Sequence, residues 1–324
     1  MAEQKKTSYK SIDKRLITEG AKLDFKLYET NDTKTQMSLF LQSDSVVDGD
    51  NKVRLREIEQ LYIIDEEYEK YKLYAQKHLN TIANNKDIPF RDKADIVYTK
   101  ASAVMDELFQ NPDALGNMEK SKDIVGGFVN LVLQDEATLS SVMKIAAHDY
   151  YTHTHSINVS IYSLSLAKFI GLKDKDLEDM GMSSMIHDLG KSKVGWDIIN
   201  KNGKLTDSEF EHMKKHPAEG YEIAVKMGIR DKRILAGVRS HHEKLDGSGY
   251  PDGLSDKQIS LFPRIIAVCD VFDALTTKRS YKDAMTSFQA ISIMKKQMQG
   301  HLDMRLVDTL IKMCNTDEGS ACQN

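Results

Sequence analysis

Cysteine, proline and long apolar runs are all scarce in this chain of 324 residues, and each scarcity excludes a class of protein. The three cysteines, Cys269, Cys314 and Cys322, show no Cys-x-x-Cys spacing and leave one unpaired, which favours a reducing cytoplasm. With 5 prolines and 18 glycines, the chain has too few turn-forming residues for a β-sandwich or β-barrel, which favours helices. No run is apolar enough for a spanning helix, and the N-terminus lacks a signal peptide, so we expect no membrane partner.

Neither basic nor acidic residues are in large excess. Lysine and arginine number 45 and the acidic residues 49, which gives a formal net charge of −4. A general binder of nucleic-acid polymers is therefore excluded, because such proteins carry a strong positive field. Any phosphate recognition should be local. The length suggests two domains.

The chain changes character near residue 85. Before it, residues 23–27 alternate between apolar and polar, and residues 37–41 and 61–64 are short apolar runs. Both patterns are typical of strands, and a short helix is predicted over 54–60. Residues 1–85 thus predict a small α+β module, regulatory or dimerising by position alone. From residue 90 to 324, apolar residues recur at helical spacing, which predicts an all-helical domain and a mainly α fold class.

Five of the ten histidines and two aspartates stand in contexts that suggest metal ligation. They are His155, His187, His216, His241, His242, Asp188 and Asp270. Histidine with carboxylate suits a divalent ion such as Fe, Mn, Zn or Ni. Seven ligands exceed the need of one ion that also holds water and substrate. They suit two ions about 3.5 to 4 Å apart, a pair typical of phosphodiester cleavage.

Each part of this pattern has a plain alternative when it is taken alone. An isolated His-Asp pair often occurs by chance, and a buried histidine such as His216 is more commonly a satisfied core residue. Asp270 could pair with Arg264 or Arg279, although a charge in an otherwise apolar helix is costly unless paired or metal-bound. The pattern becomes specific because all parts occur together and in order.

Lys191 follows the His187-Asp188 pair closely. If residues 187–191 are helical, Lys191 lies one turn after His187 and on the face of Asp188. This predicts a catalytic lysine beside the metals, which contacts a phosphate oxygen or protonates the leaving group. Asp188 could bridge both ions through its two oxygens.

The ordered motifs resemble the HD-GYP family, a branch of the HD phosphohydrolases. The matching elements are residues 151–156, His187-Asp-Leu-Gly-Lys191, His216-Pro217, the block from His241 to Leu254, and Arg264 with Asp270 to Tyr281. The His-His-Glu-x-x-Asp-Gly-x-Gly-Tyr-Pro block is long and specific, and the resemblance covers about residues 95–312. It implies an all-helical HD-type catalytic domain after the α+β module. The implied activity is hydrolysis of bacterial 3′,5′-cyclic dinucleotides, chiefly cyclic di-GMP, to pGpG or GMP.

The resemblance also implies roles for individual residues. It assigns the same seven ligands, matches Lys191 to a lysine near the metals, and matches Tyr250 to the Gly-Tyr-Pro tyrosine of the substrate cleft. Arg279 and Lys282 match basic positions that contact the nucleotide. Gly249 belongs to a loop whose glycines let the backbone approach the ligand closely.

The metal count depends on one position. Trinuclear members of the family carry a glutamate four residues before His155, where this chain has Tyr151. A phenol is a weak ligand at neutral pH because its pKa is about 10. We therefore predict two divalent ions, Fe or Mn. Asp273 and Glu243 are expected to orient histidine N–H groups, whereas His148 and His153 are not expected to bind metal.

Two other readings stay open. The chain could be a cyclic-dinucleotide sensor with little turnover, although a sensor has no evident need for seven ligands. It could also be a phosphodiesterase for another nucleotide, such as cyclic GMP-AMP. Guanine selectivity, a homodimer and contacts with signalling protein partners are likewise open.

Overall fold

The computed structural model describes residues 7–30, 36–85, 88–112, 114, 116–134, 152–199, 201, 203–278 and 284–321. The chain divides into two compact units, Met1–Asn85 and Lys86–Asn324. Strands form a sheet in the first unit, and the second is built from helices. The predicted mainly α fold class with a small α+β module is therefore confirmed.

In its described part, the first unit is an antiparallel sheet with three α-helices. Its strands are β1 (Tyr9–Ile12), β2 (Leu27–Thr30), β3 (Met37–Leu41) and β4 (Leu61–Ile64), in the spatial order β1-β4-β2-β3. Its helices are α1 (Gly49–Glu57), α2 (Tyr68–Lys77) and α3 (Leu79–Ala83). Phe25 is fully buried, and the rings of Tyr71 and Tyr74 meet it edge-on at 5.9 and 5.4 Å. These two tyrosines of α2 thus form a packing face against Phe25.

Two local predictions in this unit need correction. The strands at 37–41 and 61–64 are confirmed, but residues 23–27 do not form a strand, since β2 begins at Leu27. Leu23 instead exchanges backbone hydrogen bonds with a loop, at Asp44 and Ser45. The helix predicted over 54–60 begins earlier because the Asp48 side chain accepts a hydrogen bond from the Asn51 N–H and caps it.

The described part of the second unit consists of helices joined by loops. Its helices are α4 (Phe90–Gln110), α5 (Asn117–Val132), α6 (Thr152–Phe169), α7 (Asp174–Met185), α8 (Trp196–Ile199), α9 (Asp207–Met213), α10 (His216–Lys226), α11 (Lys232–Ser240), α12 (Leu261–Thr276), α13 (Ser287–Gln297) and α14 (Met304–Ala321). Leu189–Lys193 form a 3-10 helix. Among the described helices, none combines the length and apolar character that a membrane crossing requires.

Helix α6 is the centre of this unit, and its residues 155–167 are all buried. It packs against α4, α5, α7, α12 and α14. The candidate ligands lie on these buried helices or at helix ends. His155 and Asp270 lie within α6 and α12, His216 begins α10, and His241 directly follows α11. The helical packing therefore brings distant parts of the chain to one place.

Candidate metal centre

Three histidines are held in the same way by helical backbone. The Nδ1 atoms of His187, His216 and His241 lie 2.6, 2.7 and 2.8 Å from the carbonyl oxygens of the residues three positions earlier. A carbonyl only accepts, so each Nδ1 carries the proton, and Nε2 of the neutral ring presents a lone pair. Burial lowers the pKa of His187 to about 3 and lowers that of His216, which favours the neutral rings.

The Nε2 atoms of four histidines surround Asp188, which is 1% exposed. Its Oδ1 lies 3.2 Å from His216 Nε2 and 3.7 Å from His241 Nε2. Its Oδ2 lies 3.7 Å from His155 Nε2 and 3.6 Å from His187 Nε2. The two carboxylate oxygens therefore face two different pairs of histidines.

Asp188 keeps its negative charge in this buried position. Burial alone would raise the pKa of Asp188, but the Lys191 ammonium holds it well below its usual range. Lys191 lies in the 3-10 helix and its Nζ contacts Asp188 Oδ2 directly. The predicted position of Lys191 on the side of Asp188 is thus present, in a tighter helix than the one expected.

The donor atoms fall into two sets that share Asp188. The first set is Asp188, His216, His241 and His242, and the second is His155, His187 and Asp188; within each set the donors lie within 4.8 Å of one another. Asp270 adjoins the second set, since its Oδ1 lies 3.0 Å from His155 Nε2. The structure therefore brings all seven predicted ligands together.

The chemistry of these donors fits divalent ions. His216 Nε2 and His241 Nε2 lie 3.2 Å apart, although both rings carry their proton on Nδ1. In the described part of the chain, no donor reaches the buried His187 Nε2 or Asp188 Oδ1. Lone pairs that converge in this way repel unless a cation lies between them. Nitrogen and carboxylate oxygen together suit a divalent ion such as Fe, Mn, Zn or Ni, so the residues fit a divalent-metal centre.

The two acids expected to orient histidines differ in their contacts. Asp273 is fully buried, and its Oδ2 lies 2.7 Å from His155 Nδ1, so its predicted contact is present. Glu243 instead accepts hydrogen bonds from the backbone N–H groups of Asp252 and Leu254, at 2.7 and 2.9 Å. The prediction that Glu243 orients a histidine is therefore wrong. Glu243 secures the loop that follows the His241-His242 pair.

Two residues of that loop were predicted to contact substrate. The Tyr250 ring stacks on His242 at 4.8 Å with an interplanar angle of 29°, and it meets the edge of Phe210. At Gly249, an added Cβ would lie 2.4 Å from the backbone nitrogen of Lys244. Close packing of the loop against itself is thus the evident reason for glycine here. Sequence reasoning missed Phe210, whose ring is 47% exposed beside Tyr250.

We expect Glu243→Gln to loosen the loop. The amide keeps one acceptor, but its NH2 group would face a backbone N–H, and a buried unsatisfied donor costs roughly 1 to 3 kcal/mol. Urea unfolding should show this loss, and Glu222→Gln on the exposed side of α10 serves as the control. Equal stability of the two variants would contradict the role given to Glu243.

Several predicted positions lie outside the described residues. These are Arg279, Lys282, Tyr151 and His148. His153 belongs to α6, but its side chain is not among those described. The assignments of Arg279 and Lys282 to the nucleotide, and of Tyr151 to a binuclear centre, stay predictions.

The sequence is similar to known proteins across the region that carries the site. A family model described as HD domain matches residues 104–306. Cyclic di-GMP phosphodiesterase PA4108 of Pseudomonas aeruginosa is 33% identical over 222 residues, which are 68% of this chain and 53% of that protein. The 3′3′-cGAMP-specific phosphodiesterase 3 of Vibrio cholerae is 32% identical over 228 residues, 67% of this chain and 49% of that one. The chain thus spans about half the length of these curated relatives.

One solved structure matches nearly the whole chain. It is Bd1817, a HDG"Y"P protein from Bdellovibrio bacteriovorus, with a TM-score of 0.66 and 22% identity. The match covers 95% of this chain and 100% of the other. At this identity the likeness concerns the fold.

Proposed function

Because this chain belongs to the HD domain family, we propose that it is a metal-dependent phosphodiesterase acting on bacterial cyclic dinucleotides, with cyclic di-GMP the first candidate and pGpG or GMP the product. The observation that carries this proposal is the convergence of unprotonated histidine nitrogens on the two oxygens of Asp188. Full retention of the donor set favours catalysis over a sensor that only binds.

The centre would hold two divalent ions, iron or manganese. Asp188, His216, His241 and His242 would hold one, and His155, His187, Asp188 and Asp270 the other. Bound ions of this kind acidify and align a water for in-line attack on a phosphodiester and neutralise charge on the phosphoryl oxygens. Asp188 belongs to both sets, and its charge favours the binding of both ions.

The surrounding residues would bind and orient the substrate. The Lys191 ammonium would contact a phosphoryl oxygen or deliver the proton to the leaving oxygen. Tyr250 is held by its stacking on His242 and, with Gly249 beside it, would line the cleft for a base. Arg279 and Lys282 would contact the second phosphate or a guanine edge. Among these basic residues, Lys191 is the one whose contact with Asp188 the structure describes.

We expect Lys191→Gln to lower kcat about 10- to 100-fold while both metals stay bound. The reason is that Lys191 contacts Asp188 without belonging to either set of ligands. Steady-state rates and metal content measured on the same preparation check this. Lys193→Gln, on the exposed side of the same 3-10 helix, should be unchanged. Loss of metal from Lys191→Gln, or an unchanged kcat, would refute the assignment.

The second candidate substrate is 3′,3′-cyclic GMP-AMP, since a relative that matches 67% of this chain is named for that activity. A panel of cyclic di-GMP, cyclic GMP-AMP and mononucleotides, assayed with Fe(II) or Mn(II) on anaerobically purified protein, distinguishes the candidates. About two metals per chain with turnover of a cyclic dinucleotide is the expected result. Filled sites without turnover of any of these would favour the sensor reading.

We further propose that the chain works in the cytoplasm. Cys269, a buried thiol that forms no disulfide in the described part of the chain, supports a reducing compartment. The first unit would serve regulation or dimerisation, through a homodimer or a signalling partner.

A further inference from the structure

A chain of hydrogen bonds leads from His155 to helix α4. Asp273 Oδ2 lies 2.7 Å from His155 Nδ1, and Asp273 Oδ1 accepts from Asn158 Nδ2 at 3.0 Å. Thr277 Oγ1 donates to the same Oδ1 at 2.9 Å. The Tyr98 hydroxyl then donates to Asn158 Oδ1 at 2.9 Å. The residues of this hydrogen-bond series come from three helices and their ends, α4, α6 and α12.

The direction of these bonds is fixed by chemistry. Asp273 is an acceptor when ionised, so the Asn158 amide must present its NH2 group to it. The amide oxygen then faces Tyr98, which must donate. Turning the amide over would set its oxygen against the Asp273 carboxylate. Burial raises the pKa of Tyr98, and the nearby Asp273 charge adds to this, so the phenol keeps its proton.

Most of the residues that form these hydrogen bonds are buried, so the loss of any one bond is costly in free energy. Asp273, Asn158 and Thr277 are 0%, 1% and 7% exposed. A buried carboxylate that loses one of its donors costs free energy and turns toward the donors that remain. For Asp273, turning changes the contact with His155 Nδ1, and with it the aim and basicity of Nε2.

We propose that Tyr98 and Asn158 are positioning residues for the metal site that contains His155. They would act through Asp273, and neither is among the proposed ligands. Partners of this kind that hold a ligating histidine change metal affinity by about 10- to 100-fold when removed. The inference rests on the proposed metal centre.

The position of Tyr98 in the chain strengthens this reading. Tyr98 lies before residue 104, where the match to the HD domain model begins. Tyr98, a residue of α4 ahead of the matched region, thus connects to His155 through three hydrogen bonds, by way of Asn158 and Asp273. A displacement of α4 that withdraws the Tyr98 hydroxyl would weaken metal binding at one site only.

The test is a Mn(II) titration of metal-free full-length protein by calorimetry. For Tyr98→Phe we expect the affinity of one of the two sites to fall about three- to tenfold, and for Asn158→Leu about 10- to 100-fold. The double variant should match Asn158→Leu alone, because both act through one path. Tyr221→Phe removes a hydroxyl of similar exposure on α10, beside Arg239, and should change neither site.

The outcomes separate this inference from the function it rests on. If the wild-type protein binds no Mn(II), that result would contradict the proposed function itself. Wild-type protein with two sites, and Tyr98→Phe with the same two affinities, would overturn only the positioning role. A Tyr98→Phe variant whose metal-free form unfolds at a lower temperature and whose two sites weaken equally would also overturn it, since that pattern is purely structural.

Discussion

We expect Asp188→Asn to lose both of the proposed metals and to lower the proposed turnover at least about a thousandfold. The substitution removes the charge that both sets of donors share, and each oxygen of Asp188 faces a different pair of histidines. An asparagine NH2 group can also donate to an unprotonated Nε2, which satisfies that nitrogen without a cation. Metal content by mass spectrometry and the rate of cyclic di-GMP hydrolysis on the same samples check this result.

Asp179→Asn is the matched control for Asp188→Asn. Asp179 is a buried aspartate of α7 that pairs with Lys175 at 2.8 Å and with Arg233. Its replacement should cost roughly 1 to 3 kcal/mol of folding stability and leave both metals bound. An Asp188→Asn protein that retains two metals per chain would contradict the bridging role.

Gly190→Ala will disrupt the centre by steric overlap. A Cβ at Gly190 would lie 1.9 Å from the His216 carbonyl oxygen and 2.5 Å from the Gly220 nitrogen. Both are backbone atoms, so relief requires moving α10 and with it the His216 ring. We expect a loss of about 3 kcal/mol in stability, at the upper end for overpacking. Turnover should fall at least about a hundredfold, and urea unfolding with kinetics measures both.

The control for this second variant lies in the same segment. At Gly195, an added Cβ would meet no described atom within 4 Å. Gly195→Ala should therefore keep metals, rate and stability within a few tenths of a kcal/mol of wild type. If Gly190→Ala behaved like Gly195→Ala, the close packing of the 3-10 helix on α10 would not be what positions His216.

The parts of the molecule that short motifs encode were predictable. His187, Asp188 and Lys191 lie within five residues, and the backbone fixes their relative positions once the helix type is known. The helical fold followed from apolar spacing over long segments. Both signals are local, so one sequence suffices to reveal them.

The parts that depend on distant partners were not predictable. Asn158 and Asp273 are separated by 115 positions and Tyr98 and Asn158 by 60, and nothing in the spacing of such residues indicates contact. Glu243 was misread because its partners are backbone N–H groups, which every residue but proline carries. Residues 23–27 alternate like a strand because Leu23 and Phe25 are buried, yet Leu23 pairs with a loop.

The spread of the donors along the chain has a consequence for synthesis on the ribosome. His155 and its buried partner Asp273 are 118 residues apart, whereas Asp188 and the later histidines precede α12. A nascent chain that has not yet released α12 can present the Asp188, His216, His241 and His242 set while the other set lacks Asp270. An incomplete site of this kind selects ions by intrinsic affinity, which favours copper and zinc over manganese and iron. If the proposed centre forms in this order, we expect the first ion bound to depend on the metals available during translation.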